Sequence, residues 1–246
     1  MASKPARKPV CLVVGAGDAL GGAIARRFAR EGYLTCVARR TADKLANLVV
    51  SIEKSGGAAA AYGCDARRED QVVGLFERIE KEHGPIDVLA HNIGGNVRES
   101  ILDATAQKFF KTWEMACMAG FLTGREAARR MVPRGHGTIL FTGATASLRG
   151  GVGFAGFSAG KAGLRMVAQS MARELGPKGI HVGHVVVDGA IDTAFIRENF
   201  PARYALKERE GILDPDHIAD IYWMLHAQPR DAWSFEIDVR PWIESW

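Results

Sequence analysis

Two rhythms take turns along this chain. Short runs at residues 10–14, 33–38, 58–64, 86–90, 138–142, 180–187 and 233–239 are too brief for helices and read as strands, the first of them apolar and rich in β-branched residues. Between them, apolar residues recur at helical spacing. Leu20, Ile24 and Phe28 mark one helix, Leu45, Leu48 and Ile52 a second over 41–55, and Val72, Val73, Phe76 and Ile79 a third over 69–83. Gly84-Pro85 stops that third helix. Longer helices are expected over 107–131 and 155–175.

Strands that alternate with helices of this length call for right-handed crossovers, and so for a mostly parallel sheet covered on both faces. The expected fold is therefore α/β, a single-domain doubly wound parallel sheet, with ligands at the carboxyl ends of its strands. Residues 10–246 form one domain in this reading, preceded by a basic tail over 1–9. Residues 190–213 break the alternation. Polar, proline-containing and weakly periodic, they are placed where a cover over a site would sit.

The 246 residues, 47% hydrophobic and 24% charged, suit one sizeable core. A formal charge of +4, scattered along helical stretches, gives no stripe for nucleic acid, and no amphipathic basic helix or long apolar run suggests a membrane. The apolar run after the basic start is too short and glycine-broken for a secretion signal, so a cytoplasmic protein is expected. Cys11, Cys36, Cys64 and Cys117 lack C-x-x-C spacing and lie mostly in apolar strands, which suits reduced, buried thiols. His181 and His184, three apart on a strand, point to opposite faces, so no metal is expected.

The chemistry starts at the first strand-turn-helix. Gly15, Gly17, Asp18, Leu20 and Gly21 make a turn where backbone N–H groups and the positive end of a new helix can hold a diphosphate without side-chain charge. Leu20 stands where the third glycine of G-x-G-x-x-G would fall, so the turn alone is a weak signal. About twenty residues on, where an acidic residue would bond the adenosine ribose of NAD, stand Arg39 and Arg40. Two guanidiniums suit the extra phosphate of NADP, and no carboxylate lies between Gly32 and Thr41 to repel it.

With these features the chain resembles the short-chain dehydrogenase/reductase family nearly end to end. V-G-A-G-D-A-L-G, from Val14 to Gly21, is similar to the family's T-G-x-x-x-G-x-G, with Val14 for threonine and Ala19 for the middle glycine. Cys64-Asp65-Ala66 resembles the segment that meets adenine, and H-N-I-G, with Asn92 and Gly94, resembles N-N-A-G after the fourth strand. Asp188-Gly189-Ala190-Ile191-Asp192-Thr193 resembles P-G-x-x-x-T beside the nicotinamide, with Asp188 in place of proline, so that Gly189, Ile191 and Thr193 join the expected cofactor contacts. The resemblance implies a Rossmann-like fold, NADP(H), hydride transfer to or from a small carbonyl or alcohol, and a homo-oligomer paired through the two long helices. Ala119, Gly120, Ala127 and Ala128 are small enough for such pairing, or for a helix buried within one chain.

The family's catalytic pattern is only partly present. Lys161 stands where the family lysine lowers a phenol's pKa and bonds the nicotinamide ribose, but Phe157 holds the tyrosine position four residues earlier. The family serine aligns with Gly143-Ala144-Thr145, where only Thr145 has a hydroxyl, and the family asparagine aligns with Cys117. Ser147, Ser158 and Tyr204 are further hydroxyls to consider, each with an ordinary role in turns, caps or packing as its alternative. Two functions follow as expectations. One is an NADP(H)-dependent oxidoreductase with a non-standard proton route; the other is a catalytically silent NADP(H)-binding protein or interaction subunit.

Overall fold

The computed structural model describes residues 7–245, so most of the expected basic tail lies outside the described residues. Seven parallel strands form one sheet in the order β3-β2-β1-β4-β5-β6-β7. They are β1 Val10–Val14, β2 Leu34–Arg39, β3 Ala58–Gly63, β4 Ile86–His91, β5 Gly137–Ala144, β6 Ile180–Val187 and β7 Glu236–Val239. Every residue of β1 and β6 is buried, which is why β1 reads as an unbroken apolar run and β6 as one interrupted only by His181, Gly183 and His184.

The helices are α1 Leu20–Arg30, α2 Ala46–Lys54, α3 Glu69–His83, α4 Ala106–Trp113, α5 Ala119–Met131, α6 Ala155–Leu175, α7 Ala194–Asn199, α8 Pro201–Tyr204 and α9 Pro215–His226. Phe76, Leu122 and Leu164 from α3, α5 and α6 fill one face of the sheet; Ile24, Leu48 and Tyr222 from α1, α2 and α9 fill the other. The chain reverses its direction of winding between β1 and β4, and the crevice outside their carboxyl ends is the place this topology offers a ligand.

Three expectations need correcting, and one helix went unforeseen. The helix expected over 41–55 begins as a 3-10 turn, Ala42–Leu45, before α2. The long helix expected over 107–131 is interrupted by a π-helical turn at Glu114–Met118, which divides it into α4 and α5. The last strand starts at Glu236 rather than Trp233, because Ser234 N donates to the Gln228 side chain at 2.7 Å instead of to a strand. The weakly periodic residues 190–213 hold α7 and α8, and an isolated parallel bridge joins Ile191 to Leu213. Helix α9 was not expected, although Asp214 caps it and Pro215 opens it in the usual manner.

The small residues of α5 serve the chain's own packing. Ala119 and Ala127 are buried in the core, and a Cβ on Gly120 would lie 2.3 Å from Leu164, so these three present no surface to a second copy. All four cysteines are buried thiols. Among the described residues no helix is long and apolar enough to cross a membrane, and no group of three or more His, Cys, Asp or Glu converges.

Candidate active site

The glycine turn after β1 is tight for a stated reason. Gly15 has φ +87°, a conformation that disfavours any side chain, and a Cβ there would lie 2.5 Å from the Asn92 carbonyl oxygen. Its N–H donates to Ala38 O at 2.9 Å, fixing the turn to the end of β2. A Cβ on Gly21 would meet Gly15 O at 2.6 Å, so α1 can start this close to the turn only with glycine. Leu20 is buried at the start of α1, while Gly17 and Asp18 face outward.

Asn92 ties the turn to the rest of the site. Its Nδ2 donates to Gly15 O at 3.2 Å, and its Oδ1 accepts from Thr142 Oγ1 at 3.0 Å. Thr142 in turn bonds the Tyr222 hydroxyl of α9 at 2.6 Å. Three elements distant in sequence thus converge on one backbone carbonyl.

At the end of β2, Arg39 Nη1 lies 3.8 Å from where a Gly17 Cβ would be. Arg39 O accepts from Cys64 N at 2.9 Å, but among the described residues neither the Arg39 guanidinium nor that of the exposed Arg40 makes a hydrogen bond or ion pair, which leaves both available at the mouth of the turn. Asp65 follows β3 and is engaged by Arg67, at 2.9 Å to Oδ1 and 2.5 Å to Oδ2; this pairing holds its carboxyl below the usual range, with Arg40 adding a smaller pull. Ala66 is buried in the core and Gly94 is exposed. Thr193 caps α7 by accepting from Ile196 N at 3.2 Å, and Ile191 anchors its segment through the bridge to Leu213.

Lys161 on α6 is 2% exposed, and its ammonium donates to Ile93 O and Thr142 O, each at 2.9 Å. Burial lowers its pKa to about 8. Two histidines flank this lysine in the core. His91 is pushed down to about 3 by burial and then by Lys161, and His184 to about 4, chiefly by burial and against the pull of Glu236. His184 Nδ1 meets Glu236 Oε2 at 2.9 Å, and Arg165 holds the same carboxylate with two bonds of 2.6 and 2.7 Å. Sequence reasoning weighed His184 only as a metal ligand; its partner lies 52 residues away.

Where the family resemblance implies a phenol, the structure has an apolar patch. Phe157 packs with Ala116 and Ala146, and Ala144 and Phe154 lie against the same cluster. The π-helical turn sets Ala116 against α6, where a Cβ on Gly160 would reach it at 2.6 Å. Cys117, the next residue, is turned toward Gly163, and burial raises its thiol pKa against the influence of Lys161. Ser147 Oγ accepts from Ala144 N at 3.1 Å, and Tyr204 lies on α8 with Lys207 over its ring. Thr145 Oγ1 donates to Asp188 Oδ1 at 2.5 Å, a pairing across 43 residues of chain that no local pattern announces.

The model for short chain dehydrogenases matches residues 9–203. The chain belongs to the short-chain dehydrogenase family. A crystal structure of a short-chain dehydrogenase from Rhodopseudomonas palustris is 46% identical, with a TM-score of 0.82 over 96% of this chain and 100% of that one. A metagenomic short-chain oxidoreductase in complex with NADP is 25% identical, with a TM-score of 0.82 over 97% of this chain and 99% of that one. The 3-oxoacyl-[acyl-carrier-protein] reductase of Rattus norvegicus is 34% identical over 185 residues, 75% of this chain and 76% of its own. Family membership makes this chain a member of a group of nicotinamide-dependent oxidoreductases.

Proposed function

We propose that this short-chain dehydrogenase binds NADP(H) and exchanges hydride with a small carbonyl or alcohol, moving the proton by a route other than the family's phenol. The residues fit the cofactor. The Gly15 turn is a backbone cradle that a Cβ would fill, and Gly15, Gly17, Asp18, Leu20 and Gly21 would hold the diphosphate through main-chain N–H groups. Arg39 and Arg40 would hold the 2′-phosphate, with Asp65, Ala66, Asn92 and Gly94 bordering the adenosine side and Lys161, Gly189, Ile191 and Thr193 the nicotinamide side. A bound nicotinamide supplies the hydride donor or acceptor.

The observation that carries the NADP preference is the pair of unpaired guanidiniums beside the turn. Charge-assisted hydrogen bonds are worth about 1.5–3 kcal/mol each, so removing one should weaken NADP by roughly tenfold to a hundredfold. Calorimetry on the wild type, Arg39→Ala and Arg40→Ala tests this. NADP should bind more tightly than NAD in the wild type, and the variants should lose NADP affinity while keeping whatever NAD affinity exists. Equal NAD and NADP binding in the wild type overturns the preference; failure to bind either overturns the reading.

A second reading has its own observation. Phe157, Ala116, Ala144 and Ala146 leave the patch beside Lys161 without a proton donor, which favours a chain that binds NADP(H) and does not turn it over. Nicotinamide absorbance in the presence of carbonyl and alcohol substrates separates the two.

A further inference from the structure

Asp188 is the odd charge in this site. It follows β6 directly, is 2% exposed, and its own N–H donates to Val239 O at 2.8 Å. A carboxylate buried this deeply must be matched by charge or hydrogen bonds. Arg149, in the turn after β5, approaches Asp188 Oδ1 at 3.6 Å, and Arg240, after β7, approaches Oδ2 at 3.9 Å while also pairing with Asp238. The third partner is Thr145, at the end of the neighbouring strand, whose hydroxyl bonds Oδ1 at 2.5 Å.

The direction of that last bond has chemical content. A carboxylate flanked by two guanidiniums accepts and does not donate, so the one proton of the Thr145 hydroxyl is committed to Asp188. What Thr145 Oγ1 has left to offer is lone pairs. Its sequence neighbours Ala144 and Ala146 both belong to the apolar cluster around Phe157, whose side chains offer no proton acceptor. An oxygen in this state receives a hydrogen bond from a substrate hydroxyl and gives none to a substrate carbonyl.

We infer that Thr145 and Asp188 form the proton acceptor of this site, which sets the chain up to oxidise an alcohol. The inference rests on the NADP(H) reading proposed above. The substrate O–H proton passes to Thr145 Oγ1 as the Thr145 hydroxyl proton passes to Asp188 Oδ1. With NADP bound, its oxidised nicotinamide would take the hydride from the carbinol carbon, leaving the C=O of the product. Asp188, now a neutral acid, returns its proton to water past Arg149, whose side chain is 45% exposed. Thr145 is then the group in contact with substrate, and Asp188 a positioning residue that acts through it.

The test uses the full chain with NADP and two probe alcohols, cyclohexanol and 1-phenylethanol, from pH 6 to 9. Oxidation in the wild type should rise with pH to a plateau. Asp188→Asn and Thr145→Val should each lower kcat by about a hundredfold or more, the scale of general base help, whereas Thr145→Ser should stay within about tenfold because the hydroxyl is kept. A second readout needs no cofactor: proton NMR of the free protein should show a slowly exchanging downfield hydroxyl resonance that is missing in both Asp188→Asn and Thr145→Val. Calorimetry should give NADP affinities within about threefold of wild type for all variants. Absence of NADP binding overturns the cofactor reading and this inference with it. With NADP bound, three results each overturn this inference alone: no oxidation of either alcohol, undiminished oxidation in Asp188→Asn, or no hydroxyl resonance in the wild type.

Discussion

Acid should unfold this protein partly through a histidine that never meets water. His91 ends β4 with 0% exposure; its Nδ1 meets Thr123 Oγ1 at 2.9 Å, and its Nε2 has no hydrogen-bond partner among the described residues. Burial, with Lys161 adding to it, holds its pKa at about 3, against about 6.5 in an unfolded chain. Between those values the unfolded chain carries a proton that the folded one refuses. The stability from keeping His91 neutral is therefore complete above pH 6.5 and is lost as the pH falls toward 3. At pH 5.0 the loss amounts to about 2 kcal/mol by linkage. His91→Asn keeps a polar group within reach of Thr123 and removes the titration. Urea unfolding at pH 7.5 and 5.0 should show the wild type losing about 2 kcal/mol more than His91→Asn over that interval. Carboxylates and the other histidines titrate alike in both proteins and cancel in the difference. Equal losses in the two proteins would refute the reasoning.

Gly15→Ala forces a side chain into a left-handed conformation, worth about 1–2 kcal/mol, and places a methyl 2.5 Å from Asn92 O. It should lower the melting temperature in circular dichroism and weaken NADP by at least about tenfold, since the cradle must shift; an unchanged melting curve counts against the geometry. Phe157→Tyr puts a phenol four residues before Lys161. It should raise turnover with carbonyls by about tenfold or more, measured at the nicotinamide absorbance, and no gain would mean that substrate does not reach this ring.

Much of the fold was legible because parallel strands buried on both faces leave largely apolar runs; β1 is wholly so, and β5 and β6 depart from it only at glycines and at Thr138, Thr142, His181 and His184. The glycine turn was legible for the same local reason: a strand, a helix and the residues between them are contiguous. What escaped was long-range or blended. Helix α9 carries a proper start at Asp214-Pro215 and buries Ile218, Tyr222 and Leu225 at helical spacing, but it follows the weakly periodic stretch 190–213, which masked its onset. The π-helical turn leaves no mark in periodicity, since one extra residue per turn only shifts the phase. The partner of His184 lies on another strand and those of Asp188 just past the ends of two others, so their burial and pairing depend on sheet order rather than on neighbours in sequence.

The family match ends at residue 203, yet the hydroxyl of Tyr222 reaches back through Thr142 and Asn92 to Gly15 O. Helix α9 is also strapped to α1 by Arg27 and Asp220 at 2.6 Å. The last sixth of the chain is therefore the keystone of the first turn. A fragment trimmed to the matched region would keep every residue of the glycine loop and lose the brace that sets its shape.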